Sequence, residues 1–249
     1  MGKILNTQQS SVFLVVATRQ SARQFSRATL LGQSLRNFSP TLRPKLLLYP
    51  NNEGSHLQGL STIYNLAIEK LPDQGIVAFV HDDLYLHDWY LNQRLEEALR
   101  YFDVVGLVGS VTADDDQPSW CFRLDPSLRP QRVEGQRASG YLNHHNPYQP
   151  ELDVYGPTPY SCRLLDGVFL ACRLSTLKNS GLRFDPQFDF HCYDSDFCRS
   201  AESLGLRMGT WPISCTHGSL GKFDNAWISQ AQLWLQKWHP LSLDKLSAH

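Results

Sequence analysis

Charge of one sign is the first thing this sequence lacks. Its 23 lysines and arginines stand against 24 aspartates and glutamates, for a formal net charge of -1. A nucleic-acid partner usually leaves a basic excess, so none is expected. Long apolar runs are missing too. No stretch approaches the roughly 18–20 apolar residues that cross a bilayer, so no transmembrane segment is expected. The stretch from Met1 to Ser11 is polar and leads into a short apolar segment, Val12–Ala17. It lacks the charged start, long apolar middle and small-residue cleavage site of a secretory leader. Cys121, Cys162, Cys172, Cys192, Cys198 and Cys215 form no CxxC pair. In a chain this long they read as reduced thiols, not a disulfide framework or zinc site. There is no internal repeat and no low-complexity linker. The expected location is cytoplasmic, at most peripheral to the inner membrane face.

What is present suits one α/β domain over residues 1–249, because a chain with 42% hydrophobic residues can bury a sizeable core. Val12–Ala17 reads as a strand, and Ser21–Asn37 has helical spacing of Phe25, Leu30, Leu31 and Leu35. Lys45–Tyr49 is a second strand, stopped by the turn residues of Pro50–Gly54. Leu57–Leu71 is a second helix, and the run from Gly75 to Val80 a third strand. This alternation predicts parallel strands joined by crossover helices. Further on, Leu84–Trp89 reads as a connection, Tyr90–Tyr101 as a helix, and Val104–Ser110 as one strand. From Thr112 to Tyr160 periodicity fails, but the aromatics (Trp120, Phe122, Tyr141, Tyr148, Tyr155, Tyr160) argue against disorder. Short antiparallel strands and loops that build part of a pocket are expected there. Leu164–Cys172 and Arg207–Cys215 read as strands, Leu174–Ser180, Asp194–Leu204 and Ala226–Trp238 as helices.

The chain is organised around the third strand, whose apolar run ends abruptly in His81-Asp82-Asp83. Ligands collect at strand ends of open α/β sheets. Adjacent side chains on a strand tip point to opposite sides, so one carboxylate can take Mg²⁺ or Mn²⁺ while its neighbour takes another partner. A helix cap or a turn explains the same pair. Asp194, in Tyr193-Asp194-Ser195-Asp196, opens a helix; it is either an N-cap or a general base toward a hydroxyl. His217, followed by Gly218, is either a metal ligand or a structural histidine. Asp166-Gly167 is a place for sugar hydroxyls or a simple bulge. Arg123, Arg129, Arg132 and Arg137 form either a solvated face or a contact for an anionic acceptor or phosphate.

Together these pieces resemble a GT-A type glycosyltransferase, and more narrowly the bacterial glycosyltransferase-like family related to family 2. The resemblance rests on Gly59–Asn65, Val77–Asp83, Val105–Gly109, Leu165–Ala171, Phe190–Asp196, Trp211-Pro212-Ile213 through His217–Ser219, and Lys237-Trp238. It runs from about Ser11 to Trp238. It implies a mixed sheet flanked by helices, with residues of about 11–111 binding the nucleotide sugar and about 112–238 binding the acceptor and carrying catalysis. It implies a divalent metal, Mn²⁺ or Mg²⁺, held by Asp83 and His217. Thr18, Arg19, Asn65, His81, Asp82, Asp166 and Gly167 fall on the donor side. Asp194 is the implied base, with Asp196 as the alternative because Tyr193 stands where the family has an acid. The implied reaction is inverting transfer from a UDP- or GDP-sugar to a glycan, lipid-linked or protein acceptor. A catalytically silent GT-A-like domain and a nucleotidyltransferase are the competing expectations.

Overall fold

The protein is described by a computed structural model over residues 10–239. The polar N-terminal stretch through Gln9, on which the no-leader expectation leans, and the tail from Pro240 lie outside the described residues.

The first third alternates as expected. Strand β1 (Val12–Ala17) leads through helices α1 (Ala22–Ala28) and α2 (Leu30–Leu35) to β2 (Lys45–Tyr49), α3 (Leu60–Lys70) and β3 (Ile76–Val80). One helix was expected over Ser21–Asn37. Instead Thr29, extended at φ -113° and ψ 150°, separates two. Its hydroxyl accepts from the Gly32 amide and caps α2, because a β-branched hydroxyl residue favours the cap over the helix interior. Helix α3 buries Leu60, Ile63, Tyr64, Ala67 and Ile68, the i, i+3, i+4 stripe its sequence predicts.

The chain continues through β4 (Leu84–Leu86), α4 (Leu91–Ala98), β5 (Val104–Gly106), β6 (Val108–Ser110), β7 (Phe122–Leu124) and β8 (Pro130–Arg132). A long hairpin of β9 (Ala138–Asn146) and β10 (Gln149–Gly156) precedes β11 (Tyr160–Ser161), β12 (Leu164–Leu165) and β13 (Phe169–Arg173). Helix α5 (Leu174–Ser180), helix α6 (Tyr193–Ser203), strands β14 (Met208–Thr210) and β15 (Cys215–His217) and helix α7 (Asn225–Trp238) complete it. The pocket-building expectation for 112–160 thus meets short strands and a hairpin. Leu84–Trp89, expected as a connection, contains a strand.

A seven-stranded sheet has the order β11-β14-β5-β13-β3-β1-β2, and a six-stranded one the path β12-β6-β9-β15-β4 with β10 on β9. Strands β1, β2 and β3 run parallel, but β13 is antiparallel to both β3 and β5. The first sheet is therefore mixed. Strand β3 lies between β1 and β13, and every residue of it is buried, which explains a continuous apolar run in place of alternation.

Three segments expected as single strands are each split between the two sheets. Val104–Ser110 breaks at Leu107, Leu164–Cys172 at Asp166–Val168, and Arg207–Cys215 after Thr210. The chain also crosses between the sheets from β3 to β4, over His81-Asp82-Asp83. The polar residues singled out in the sequence therefore gather at a seam. A peptide leaving one sheet and joining another frees its side chains from the packing that makes a strand interior apolar.

The closing helix is anchored by Trp227 and Trp234, at 3% and 0% exposure, so these two are core, while Trp238 is half-buried against it. All six cysteines are buried free thiols.

Candidate active site

Backbone hydrogen bonds from three directions hold the tip of β3. The His81 amide donates to the Val168 carbonyl (3.1 Å) at the β12–β13 crossing. The Asp82 carbonyl accepts from the Leu31 amide of α2 (3.0 Å), and the Asp83 carbonyl from the Gly218 amide after β15 (2.8 Å). Strand ends usually fray; this one is clamped, which suits side chains that must hold a geometry.

Asp83 and His217 converge. Carboxylate oxygen Oδ1 and imidazole Nε2 lie 3.4 Å apart, and the Ser219 hydroxyl donates to Asp83 Oδ2 at 2.6 Å. Burial alone would raise the Asp83 carboxyl, but His217, His81 and Ser219 outweigh it and hold it well below the usual carboxylate range. Burial opposes charge on His217 as well, yet Asp83 lifts its pKa. His81 joins them: one ligand atom from each of His81, Asp83 and His217 lies within 4.8 Å of the other two. Ligands about 2.0–2.6 Å from a common ion fall within that separation. Two imidazoles suit a first-row transition ion better than Mg²⁺, and the carboxylate is compatible with Mn²⁺. The residues therefore fit a divalent cation, with His81 as a ligand where the sequence pointed to the donor.

Asp82 turns the other way. The Thr18 hydroxyl donates to its Oδ2 at 2.6 Å, and burial raises its pKa against that bond. Thr18, Arg19, Asn52, Asp82 and Asp83 line a cleft of about 370 Å³, together with Leu57, Leu60 and Tyr64. Asn65 does not line it. Its side chain donates to the Phe184 carbonyl (2.7 Å) and accepts from the Phe184 amide (3.0 Å), fastening a loop to α3.

A second cavity, of about 380 Å³, lies on the other side of His81 and Phe190, which border both. Asp166, Gly167, Asp194 and His217 line it with Trp120, Phe122, Tyr155, Phe223 and Trp227. Asp166 is fixed by the Trp120 indole N–H (2.6 Å) and the Val168 amide (2.8 Å). Asp194 accepts from the Gly167 amide and from the Ser195 amide, each at 2.9 Å. Burial, with the nearby Asp166 carboxylate adding to it, pushes Asp194 up to about 7 despite those bonds. That is where a general base works best at neutral pH.

Asp196 faces elsewhere. It is fully buried, and its Oδ1 accepts from Lys237 Nζ and the Trp238 indole, each at 2.7 Å. Residues two apart on a helix point about 200° apart, so only one of the two acids can look into the cavity. The expected N-cap of α6 is also different: Cys192, at φ 57°, occupies the position with no side-chain cap bond. Of the four arginines singled out, only Arg132 lines the cavity.

Sequence reasoning missed Asn52, Tyr193 and His144. His144 lies on β9 in register with His217 of β15 and lines the same cavity. No local pattern marks it; only the pairing of strands far apart in sequence brings it there.

The sequence matches no protein-family model and no curated protein. The backbone does resemble solved structures. The catalytic domain of a Drosophila beta1,4galactosyltransferase 7, in complex with xylobiose, aligns with TM-score 0.50 and 11% identity, over 90% of this chain and 79% of that one. GalNAc-T7 with UDP, GalNAc and Mn²⁺ aligns with TM-score 0.55 and 9% identity, over 94% of this chain and 49% of that one. This chain thus spans about half the length of the latter. At such identities the likeness speaks for the backbone alone. With its mixed sheet flanked by helices, this chain has the GT-A fold of these glycosyltransferases.

Proposed function

We propose that this protein is a metal-dependent glycosyltransferase that moves a sugar from a nucleotide-sugar donor to a hydroxyl acceptor. One observation carries the reading: a cation-sized cluster, His81–Asp83–His217, sits at the seam where two cavities meet, with a carboxylate of raised pKa in one of them. UDP is the first nucleotide to test, since GalNAc-T7, which shares the fold, binds it with Mn²⁺.

In this reading residues of about 11–111 form the donor half. Thr18 and Arg19 border the nucleotide, and Asp82, oriented by Thr18, meets the ribose. His81, Asp83 and His217 hold the cation, which when bound offsets the negative charge that develops on the departing diphosphate. Residues of about 112–238 form the acceptor half. The second cavity is lined by aromatic residues, Trp120, Tyr155 and Trp227 among them, whose apolar surface suits the C–H groups of a sugar ring, so a glycan is the favoured acceptor. Asp166, already fixed by Trp120, accepts hydrogen bonds from sugar hydroxyls beside Gly167. Asp194 removes the proton of the attacking hydroxyl.

The test is a thermal-shift screen of UDP-, GDP-, CDP- and dTDP-sugars with and without Mn²⁺, followed by a transfer assay. A ligand at a hundred times its Kd adds about 2.7 kcal/mol to stability. One nucleotide class should raise the melting temperature only when Mn²⁺ is present, and Asp83→Ala should lose that rise. A shift without transfer to any acceptor supports a silent binding domain instead. No shift with any nucleotide sugar sinks the proposal.

A further inference from the structure

Tyr193 stands between the metal cluster and the base, and nothing in the proposed reaction uses it. Its hydroxyl lies 2.8 Å from His81 Nε2 and 3.0 Å from the Gly167 carbonyl oxygen. We infer that Tyr193 is a positioning residue: it fixes the tautomer in which His81 meets a metal ion and ties that ligand to Asp194. The inference rests on the metal-binding reading of His81, Asp83 and His217.

A phenol carries one proton, and a carbonyl carries none. The contact with Gly167 is a hydrogen bond only if Tyr193 donates it. The contact with His81 is then a hydrogen bond only if Nε2 carries the ring proton and donates to the tyrosine oxygen. Both are satisfied together in that arrangement alone. The Nδ1 nitrogen is left with the ring's lone pair, so His81 ligates through Nδ1. Metal-bound histidines are commonly held this way by a partner on the other ring nitrogen.

Packing confines Tyr193. It is 3% exposed, and its ring meets Tyr64 edge-on with centroids 5.9 Å apart. Gly167 must be glycine for the contact to exist, since a Cβ there would overlap the tyrosine hydroxyl and the Asp194 side chain. The amide of the same glycine donates to Asp194 Oδ2 at 2.9 Å. Gly167 therefore holds the tyrosine through its carbonyl and the base through its amide, and both acceptor and donor belong to neighbours on the first turn of α6. His81, Tyr193, Gly167 and Asp194 form one rigid link, so ligand and base keep a fixed spacing.

The experiment uses the full-length protein without nucleotide or acceptor. Nitrogen-15 histidine NMR of the metal-free wild type should show His81 protonated at Nε2; protonation at Nδ1 overturns the inference. Mn²⁺ affinity is then measured for wild type, Tyr193→Phe, His81→Asp and the double variant. Tyr193→Phe should weaken Mn²⁺ binding about 10–100-fold, the range found for outer partners of metal ligands. Aspartate has no tautomer to fix, so in the His81→Asp background the same change should have little further effect. Equal weakening in both backgrounds would mean general packing, and unchanged affinity in Tyr193→Phe would remove the role outright. A wild type that binds no Mn²⁺ rejects the metal reading itself, whereas Mn²⁺ binding that ignores Tyr193 rejects this inference alone.

Discussion

Asp194 combines two properties that usually exclude each other: it accepts two backbone N–H bonds, which favour the charged form, and it is still pushed up to about 7. Burial and the Asp166 carboxylate win because together they disfavour the charge more than the two bonds stabilise it. The sign of the pH effect follows. A base works only when deprotonated, so transfer should rise with pH, tenfold per unit well below 7, and level off above about 7. Stability runs the other way through this group. The folded protein keeps a proton that the unfolded chain releases near pH 4, so through Asp194 stability falls as pH rises from about 4 to 7, and the cost stays in full above that. Asp194→Asn should keep Mn²⁺-dependent donor binding and lose transfer by about 10²–10⁴-fold. It should also flatten the wild-type fall in stability over that pH range, measured by chemical denaturation at pH 5 and pH 7.5. Full turnover in Asp194→Asn would remove it as the base. The sequence could name Asp194 but not its ionisation, because Asp166 lies 28 residues away and reaches it only through the fold.

Helix α6 turns its two aspartates in different directions. Asp194 faces the cavity, while Asp196 is turned into the protein against Lys237 and Trp238 of α7. The sequence put Asp194 first and left Asp196 as the alternative, since Tyr193 precedes Asp194 where the resembled family has an acid. Only the partner helix, more than forty residues on, distinguishes them. Asp196→Asn keeps the Oδ1 acceptor but loses the ion pair with Lys237. It should lower stability by about 1–3 kcal/mol while the protein still transfers sugar. Denaturation and transfer assays on this variant and on Asp194→Asn should give opposite patterns; loss of transfer with intact donor binding in Asp196→Asn would reassign the base. The same scale explains what the sequence showed of the strands. Apolar runs marked β1, β2 and β3 well: β3 is buried throughout and β1 mostly, while β2, a half-exposed strand at the end of its sheet, still carries the run Leu46-Leu47-Leu48. They did not show that Val104–Ser110, Leu164–Cys172 and Arg207–Cys215 each serve two sheets. A strand that changes sheets keeps its composition, so hydrophobicity does not record the crossing; the embedded Asp166-Gly167 was its one visible trace.

Across the whole molecule, the two sheets meet along a seam, and the seam separates a cleft that holds Thr18, Arg19 and Asp82 from a cavity that holds Asp166 and Asp194. His81 and Phe190 border both. This division suits direct displacement. In the proposed reaction the donor diphosphate would lie at His81, Asp83 and His217, and an acceptor hydroxyl deprotonated by Asp194 would reach the anomeric carbon from the cavity and displace the diphosphate directly. Retention by double displacement needs instead a nucleophilic carboxylate on the sugar's face, about 5 Å from a second acid–base group in the comparable chemistry of glycosidases. Besides Asp194, the carboxylate lining the cavity is Asp166, and its hydrogen bonds from Trp120 and Val168 blunt its nucleophilicity. The product should therefore carry the inverted anomeric configuration. Proton NMR of the product, read within minutes of mixing with an α-linked donor, should show the large anomeric coupling of a β-linkage for a gluco- or galacto-configured sugar. An α-linked product would reject direct displacement and move attention from Asp194 to Asp166, whose replacement by asparagine would then abolish transfer and leave donor binding in place.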